Sequence, residues 1–246
     1  MAVVATIWIG TSGYVYPHWR HGEFYPTRLR ARDELPYYAQ RFRTVELNNP
    51  FYRLPSPATF DRWRAQTPDD FSFAVKVSRF ISHVRRLRDP AEPLATFVSH
   101  ADRLGPKLGP LLVQLPPQFQ ADLPRLESFL DALPPAHRWV LEVRHPSWQI
   151  PAVYEALGRR HVALCIPVGG PVQADLVTTA PFTYVRMHVG QGHDGQFGED
   201  ELRPWARRVR ALARSGMDVY VYFNNDRGGH AVRDAMRLRG LLRLAR

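Results

Sequence analysis

Eight short runs rich in β-branched and aromatic residues recur along this chain, at 6–10, 43–49, 71–76, 111–115, 139–145, 161–166, 182–188 and 218–224. Nearly every run is followed by apolar residues at helical spacing. Leu35, Tyr38, Ala39 and Phe42 form one such stripe, and Leu126, Phe129, Leu130 and Leu133 another. Strands that alternate with helices pair in parallel, because each crossover returns the chain to the same end of the sheet. Eight units in 246 residues therefore predict an α/β fold, a single (β/α)8 TIM-type barrel over 1–246, with an open doubly wound sheet as the competing arrangement. The connection 167–181 is short and rich in Gly and Pro. It predicts an abbreviated or missing crossover helix between strands six and seven.

Side-chain parity says what such a barrel would hold. In the fifth run Trp139, Leu141 and Val143 point one way, while Val140, Glu142 and Arg144 point the other. The same reading puts Glu46 and Asn48, Lys76, Gln114, Arg186, His188 and Asn224 on the face opposite the apolar one, near the strand ends. Residues of that parity fill the barrel centre, so these side chains are expected to meet at one mouth.

The net charge of +10 favours anionic partners through long-range steering. Most of the basic residues are arginines spread over many segments, a bias that a GC-rich genome also produces. Cys165 is the only cysteine, which rules out an intramolecular disulfide and a thiolate metal cluster. The first ten residues carry no basic leader and run into the turn Gly10–Gly13 too soon for a signal peptide or membrane span. A cytoplasmic protein without a membrane partner is the expectation.

Glu46 and Glu142 come from separate strands, and two carboxylates can act as general acid and base when their surroundings split their pKa values. They can equally be neutralised by Lys76 and Arg144 as buried pairs. Lys76 can serve as an amine nucleophile if desolvated. His188 is a candidate base. No metal-ligand spacing accompanies it, and Lys76, Arg144 and Arg186 would repel a cation, so no metal is expected. Arg144 and Arg186 offer a forked grip for carboxylate or phosphate. The stretch Asn225, Asp226, Arg227, Gly228, Gly229 leads into the last helix, a corner where barrels often hold phosphate. Acids on strands four and seven, the usual glycosidase placement, are not matched.

Two loops look suited to a larger partner. Tyr14, Tyr16, Trp19, Phe24 and Tyr25 are interleaved with His18, Arg20 and His21, a pattern that either stacks on bases or packs on itself. Arg79, His83, Arg85, Arg86 and Arg88 form a basic loop.

The pieces Gly10–Gly13, Glu46-Leu-Asn48 with Phe51-Tyr52, Lys76, Gln114-Leu-Pro116, Glu142-Val-Arg144, Arg186-Met-His188 and Tyr222–Asp226 resemble, in order and over almost the whole chain, the YecE-like family, also called domain of unknown function 72. The resemblance implies a TIM-type barrel and no established reaction. Val189 stands where the family tends to have a glycine, and Asp234 where it tends to have an asparagine.

The expected function is acid/base chemistry on a phosphorylated or carboxylated small substrate. Glu46, Glu142, His188 and Lys76 are the catalytic candidates. Arg144, Arg186, Asn48, Gln114, Asn224, Asn225, Asp226, Tyr14 and Trp19 are the binding candidates. Nucleic-acid binding or processing through the two loops is the alternative. The sequence assigns no cofactor and no oligomeric state.

Overall fold

A computed structural model describes residues 5–20, 22–170 and 175–244; His21 of the aromatic loop and 171–174 of the connection 167–181 lie outside the described residues. The alternation becomes a ring of strands: β1 (Ile7–Thr11), β2 (Thr44–Leu47), β3 (Ser72–Lys76), β4 (Leu108–Gln114), β5 (Trp139–Glu142), β6 (Ala163–Val168), β7 (Phe182–Met187) and β8 (Asp218–Phe223). All the pairings are parallel, in the order β1-β8-β7-β6-β5-β4-β3-β2. Sequence neighbours are therefore neighbours in space, and the sheet curls into a nearly closed (β/α)8 barrel of the TIM type.

Between the strands run α1 (Glu34–Ala39), α2 (Asn49–Tyr52), α3 (Pro57–Ala65), α4 (Ala91–Ala101), α5 (Leu123–Asp131), α6 (Pro151–Arg159) and α7 (Glu199–Arg214), and α8 (His230–Leu242) follows β8. Asp122 caps α5 by accepting from the Arg125 amide at 3.1 Å. Among the described residues no helix joins β6 to β7. Thr179 ties that connection down instead, its hydroxyl accepting from Leu164 N at 2.8 Å and donating to Val162 O at 2.6 Å. No helix among the described residues is long and apolar enough to cross a membrane.

The seam between β1 and β2 is the weak point of the ring, because only an isolated bridge between Ser12 and Glu46 crosses it. Tyr38 of α1 supplies the missing bonds. Its hydroxyl receives the Thr11 amide at 3.0 Å and donates to Thr44 O at 3.0 Å. Gly10 makes the close approach possible, since a Cβ there would lie 2.2 Å from Thr44 O.

Strand β4 begins earlier than its apolar run implies, at Leu108, and includes Pro110. Phe73 pairs with Leu108 and Val75 with Leu111, so three residues of β4 span two of β3. A proline cannot donate to a ladder, and the bulge absorbs that defect.

Outward strand residues such as Leu47, Val75, Val113 and Leu141 pack on helix residues such as Leu35, Phe60, Phe97 and Leu126. Inside the ring, Ala74, Leu112, Val140, Cys165, Tyr184, Tyr220 and Tyr222 form a second apolar layer. The polar side chains of the predicted parity lie above it.

Candidate active site at the barrel mouth

Arg186 of β7 is the centre of the polar crown. Its Nε and Nη2 donate to Glu46 of β2 at 2.9 and 2.7 Å, and its Nη1 donates to Glu142 of β5 at 2.8 Å. Tyr184 adds a hydroxyl bond to Glu46 at 2.6 Å, and Gln114 an amide bond to Glu142 at 2.9 Å. Burial on its own would raise both carboxyl pKa values. The Arg186 charge and these donors outweigh it and hold Glu46 and Glu142 below the ordinary carboxylate value. Both are thus ionised, and the one guanidinium sits between two carboxylates. Neither glutamate faces the open cavity; they form its floor.

His188 follows β7 and touches the same floor. Its backbone N–H is fixed to Val168 O at 2.8 Å, so the extra Val189 leaves the ring well placed. Nε2 lies 3.2 Å from Glu142 Oε1, and Nδ1 lies 3.2 Å from the Asn224 amide nitrogen. With that amide donating, Nδ1 is the acceptor and Nε2 carries the proton shared with Glu142.

Above the floor opens a cavity of about 640 Å³. Among the described residues its lining includes Asn48, Lys76, Arg79, His83, Gln114, Arg144, Arg186, His188 and Asn224, and no acidic residue. Three of its cations have no carboxylate partner among the described residues: Lys76, Arg79 and Arg144. The buried Nε of Arg144 and the buried Oδ1 of Asn48 have no hydrogen-bond partner among the described residues. Lys76 is only 8% exposed, and its Nζ lies 4.0 Å from the centre of the Phe51 ring. Burial, then the nearby Arg186 charge, pulls its ammonium down to about 8, against the opposing pull of Glu46 and Glu142. Burial and the neighbouring Lys76, Arg79 and Arg144 push His83 down to about 4, so its ring is neutral at pH 7.

Arg79 and His83 reach the cavity because the basic loop is wound as a π-helix over Phe80–Val84. Arg86, Leu87 and Asp89, just beyond, have positive φ of 48°, 68° and 42°. Such backbone is costly for non-glycine residues and persists where the surroundings enforce it. Leu87, buried in the core, is the anchor.

The model of a family of unknown function, DUF72, matches residues 8–246. The chain belongs to the DUF72 family. Its similarity to the UPF0759 protein YecE of Escherichia coli is 38% identity over 133 residues, 54% of this chain and 48% of YecE; the matched segment therefore spans about half the length of that relative. The UPF0759 protein YunF of Bacillus subtilis is 27% identical over 96% of this chain and 94% of its own. A solved DUF72 family structure from Thermotoga maritima has a TM-score of 0.86 at 28% identity, covering 97% of this chain and 100% of that one. One from Enterococcus faecalis has a TM-score of 0.80 at 20% identity, a likeness of fold.

Most of the DUF72-like motifs converge on this mouth. Asn48, Lys76, Gln114, Arg144, Arg186, His188 and Asn224 all line the cavity, with Glu46 and Glu142 beneath, and Tyr14 is at its edge. Tyr14 accepts from Trp63 Nε1 at 3.0 Å, and burial pushes its hydroxyl up to about 12. Three predicted binding residues are placed elsewhere. Trp19 is fully buried among Tyr16, Phe24, Tyr25 and Tyr38, donating from Nε1 to Asp226 at 2.8 Å. The aromatic loop therefore packs on itself. Asp226, with His18 Nε2 at 2.8 Å from its other oxygen, is pushed up to about 6 by burial despite those partners. Asn225 donates to Gly195 O at 3.0 Å and to Asp234 at 2.7 Å. Asp234 also receives the Phe197 amide at 2.9 Å, so this departure from the family pattern serves a helix-to-loop contact. The corner before α8 thus contributes Asn224 alone to the cavity.

Cavity residues that parity could not supply are Tyr16, Phe51, Tyr52, Arg79 and His83. All lie beyond the strand ends, on loops, on the one-turn helix α2 or on the π-helical turn, where period two no longer applies. The described residues hold no cluster of three or more His, Cys, Asp or Glu side chains arranged for a metal ion.

Proposed function

We propose that this protein is an enzyme that performs acid/base chemistry on a small anionic substrate, phosphorylated or carboxylated, held at the barrel mouth. The observation that carries the reading is the unbalanced charge of the cavity. Lys76, Arg79 and Arg144 face a space lined by no acid, and none of them has a carboxylate within ion-pair distance among the described residues. Buried polar groups are normally partnered, so the buried Lys76 and the buried Nε of Arg144 call for an anionic ligand, while the exposed Arg79 adds charge at the edge. Arg144 is suited to grip the anion, with Lys76 and Arg79 adding charge and Asn48 and Gln114 adding polar contacts. Arg186 is spent on Glu46 and Glu142 and serves the floor instead. His188 is the proton carrier, oriented by Glu142 and Asn224, and exchanges its long Asn224 bond for the substrate. The lone, buried Cys165 accords with a cytoplasmic setting.

The test is a thermal-shift titration at fixed ionic strength with orthophosphate, pyrophosphate, sugar phosphates and small carboxylates. A ligand at a hundred times its Kd stabilises by about 2.7 kcal/mol. Saturable stabilisation that vanishes in Arg144→Ala is expected. No stabilisation by any member of the panel would overturn the reading.

One observation favours a second reading, a nucleic-acid partner at the rim. Arg85, Arg86 and Arg88 are exposed beside the exposed Phe80 and Val84 on the loop after β3. That reading expects binding that weakens steeply with salt and is lost in Arg85→Ala/Arg88→Ala. The self-packed aromatic loop gives it no support.

A further inference from the structure

Only two of the 33 basic residues of this chain are lysines, Lys76 and Lys107. They are in opposite situations. Lys107 donates to the carbonyls of Arg64 and Thr67, both at 2.7 Å, an ordinary buried lysine with its donors satisfied. Lys76 is as deeply buried, yet no hydrogen bond or ion pair holds its Nζ among the described residues. Among the described residues its Nζ meets the Phe51 ring, and the side chain lines the cavity.

An anion-binding role does not by itself call for lysine there. Arginine grips carboxylate and phosphate in two-pronged fashion, and this protein uses arginine almost everywhere else. What a lysine offers and an arginine does not is an amine that can lose its proton and attack. Burial, then the charge of Arg186, makes this ammonium easier to deprotonate than an ordinary lysine, against the opposing charges of Glu46 and Glu142. Phe51 fixes the side chain without occupying the nitrogen's lone pair.

We infer that Lys76 is an amine nucleophile that forms a Schiff base with a carbonyl group of the anionic substrate, which assigns the substrate to the 2-oxo acids or the phosphorylated aldehydes and ketones. The inference rests on the anionic-substrate reading and narrows it. The neutral Nζ attacks the carbonyl carbon as the C=O π pair moves onto oxygen. One amine proton passes to that oxygen to give the carbinolamine. A second proton, from solvent, lets the oxygen leave as water while the nitrogen lone pair closes the C=N bond. The sum is amine plus carbonyl plus one proton, giving a protonated imine and water. The imine withdraws electrons from the adjacent carbon, and loss of a proton from that carbon is the step a base in this cavity would assist.

The experiment incubates the intact protein separately with pyruvate, 2-oxoglutarate and dihydroxyacetone phosphate, each in the presence of sodium cyanoborohydride, followed by intact mass and peptide mapping. At least one carbonyl compound is expected to leave a single reduced adduct on Lys76, at least tenfold above any on Lys107, and Lys76→Arg is expected to abolish it. Orthophosphate stabilisation of the wild-type protein, measured in parallel, separates the two claims. Stabilisation by orthophosphate without any Lys76 adduct, or adducts shared evenly between the two lysines, would overturn the Schiff base and leave the anion site standing. An adduct without stabilisation by orthophosphate or by any other member of the anion panel would uphold the nucleophile and remove the anion site. Absence of both would remove both.

Discussion

Arg186 and Glu46 brace the barrel from within. They sit on β7 and β2, strands that are not neighbours in the ring, and two parallel N–H···O bonds of 2.9 and 2.7 Å join them with both side chains almost fully buried. A buried pair of this kind need not stabilise relative to an apolar core, but removing one partner strands the other's charge. Arg186→Met is therefore expected to cost about 3–5 kcal/mol, because it leaves two buried carboxylates without their cation. Urea unfolding measures it. A loss under about 1 kcal/mol would mean that the floor tolerates uncompensated charge.

The same floor gives a prediction for acid. Glu46 and Glu142 are held below the ordinary carboxylate value, so the folded protein binds these protons less tightly than the unfolded chain. Their contribution is fully present above the unfolded value of about 4.3 and is lost as pH falls below it through the folded-state values. Stability measured by urea midpoints between about pH 2 and 6 is expected to fall steeply in the wild type and less steeply in Glu46→Gln and Glu142→Gln. Identical acid limbs in all three proteins would count against these pairs.

At the β1–β2 seam, Tyr38→Phe removes the hydroxyl that serves Thr11 N and Thr44 O. Leaving buried backbone groups unsatisfied costs about 1–3 kcal/mol. The expected signature is that loss together with faster amide exchange at Thr11, with the other strand pairs unchanged. Uniformly faster exchange around the ring would show that the hydroxyl is not a local staple.

Lys76 has an ammonium pulled down to about 8, and the chain has only one other lysine. After ¹³C reductive methylation, the resonance that disappears in Lys76→Arg should titrate near 8. The sign for stability follows: the unfolded lysine keeps its proton up to about 10.4, so this group makes the fold more stable as pH rises from about 8 towards that value. A midpoint above 10 would mean that the side chain is solvated.

Much of this was legible from period two alone. Parity along the strands put Lys76, Gln114, Glu142, Arg186, His188 and Asn224 at one mouth, because a barrel strand has only an inside and an outside. It could not say that Arg186 would be consumed by Glu46 and Glu142, since pairing depends on the width of the ring. Arg79 and His83 enter the cavity through a π-helical turn that no periodicity announces. Trp19, Asn225 and Asp226 carry polar or aromatic groups suited to binding, yet they hold loops to the barrel. Loop direction is set by partners far along the chain, such as Trp19 with Asp226, and local pattern is blind to them.

The central claim, an anion site built from unpartnered cations, is tested most directly by soaking a crystal of the protein in tungstate, a heavy tetrahedral oxyanion, and mapping its anomalous signal. The strongest peak is expected in the cavity above Arg186, within hydrogen-bond reach of Arg144 and beside Lys76 and Arg79. A cavity without signal, with the oxyanion gathered instead on Arg85, Arg86 and Arg88 at the rim, would contradict it.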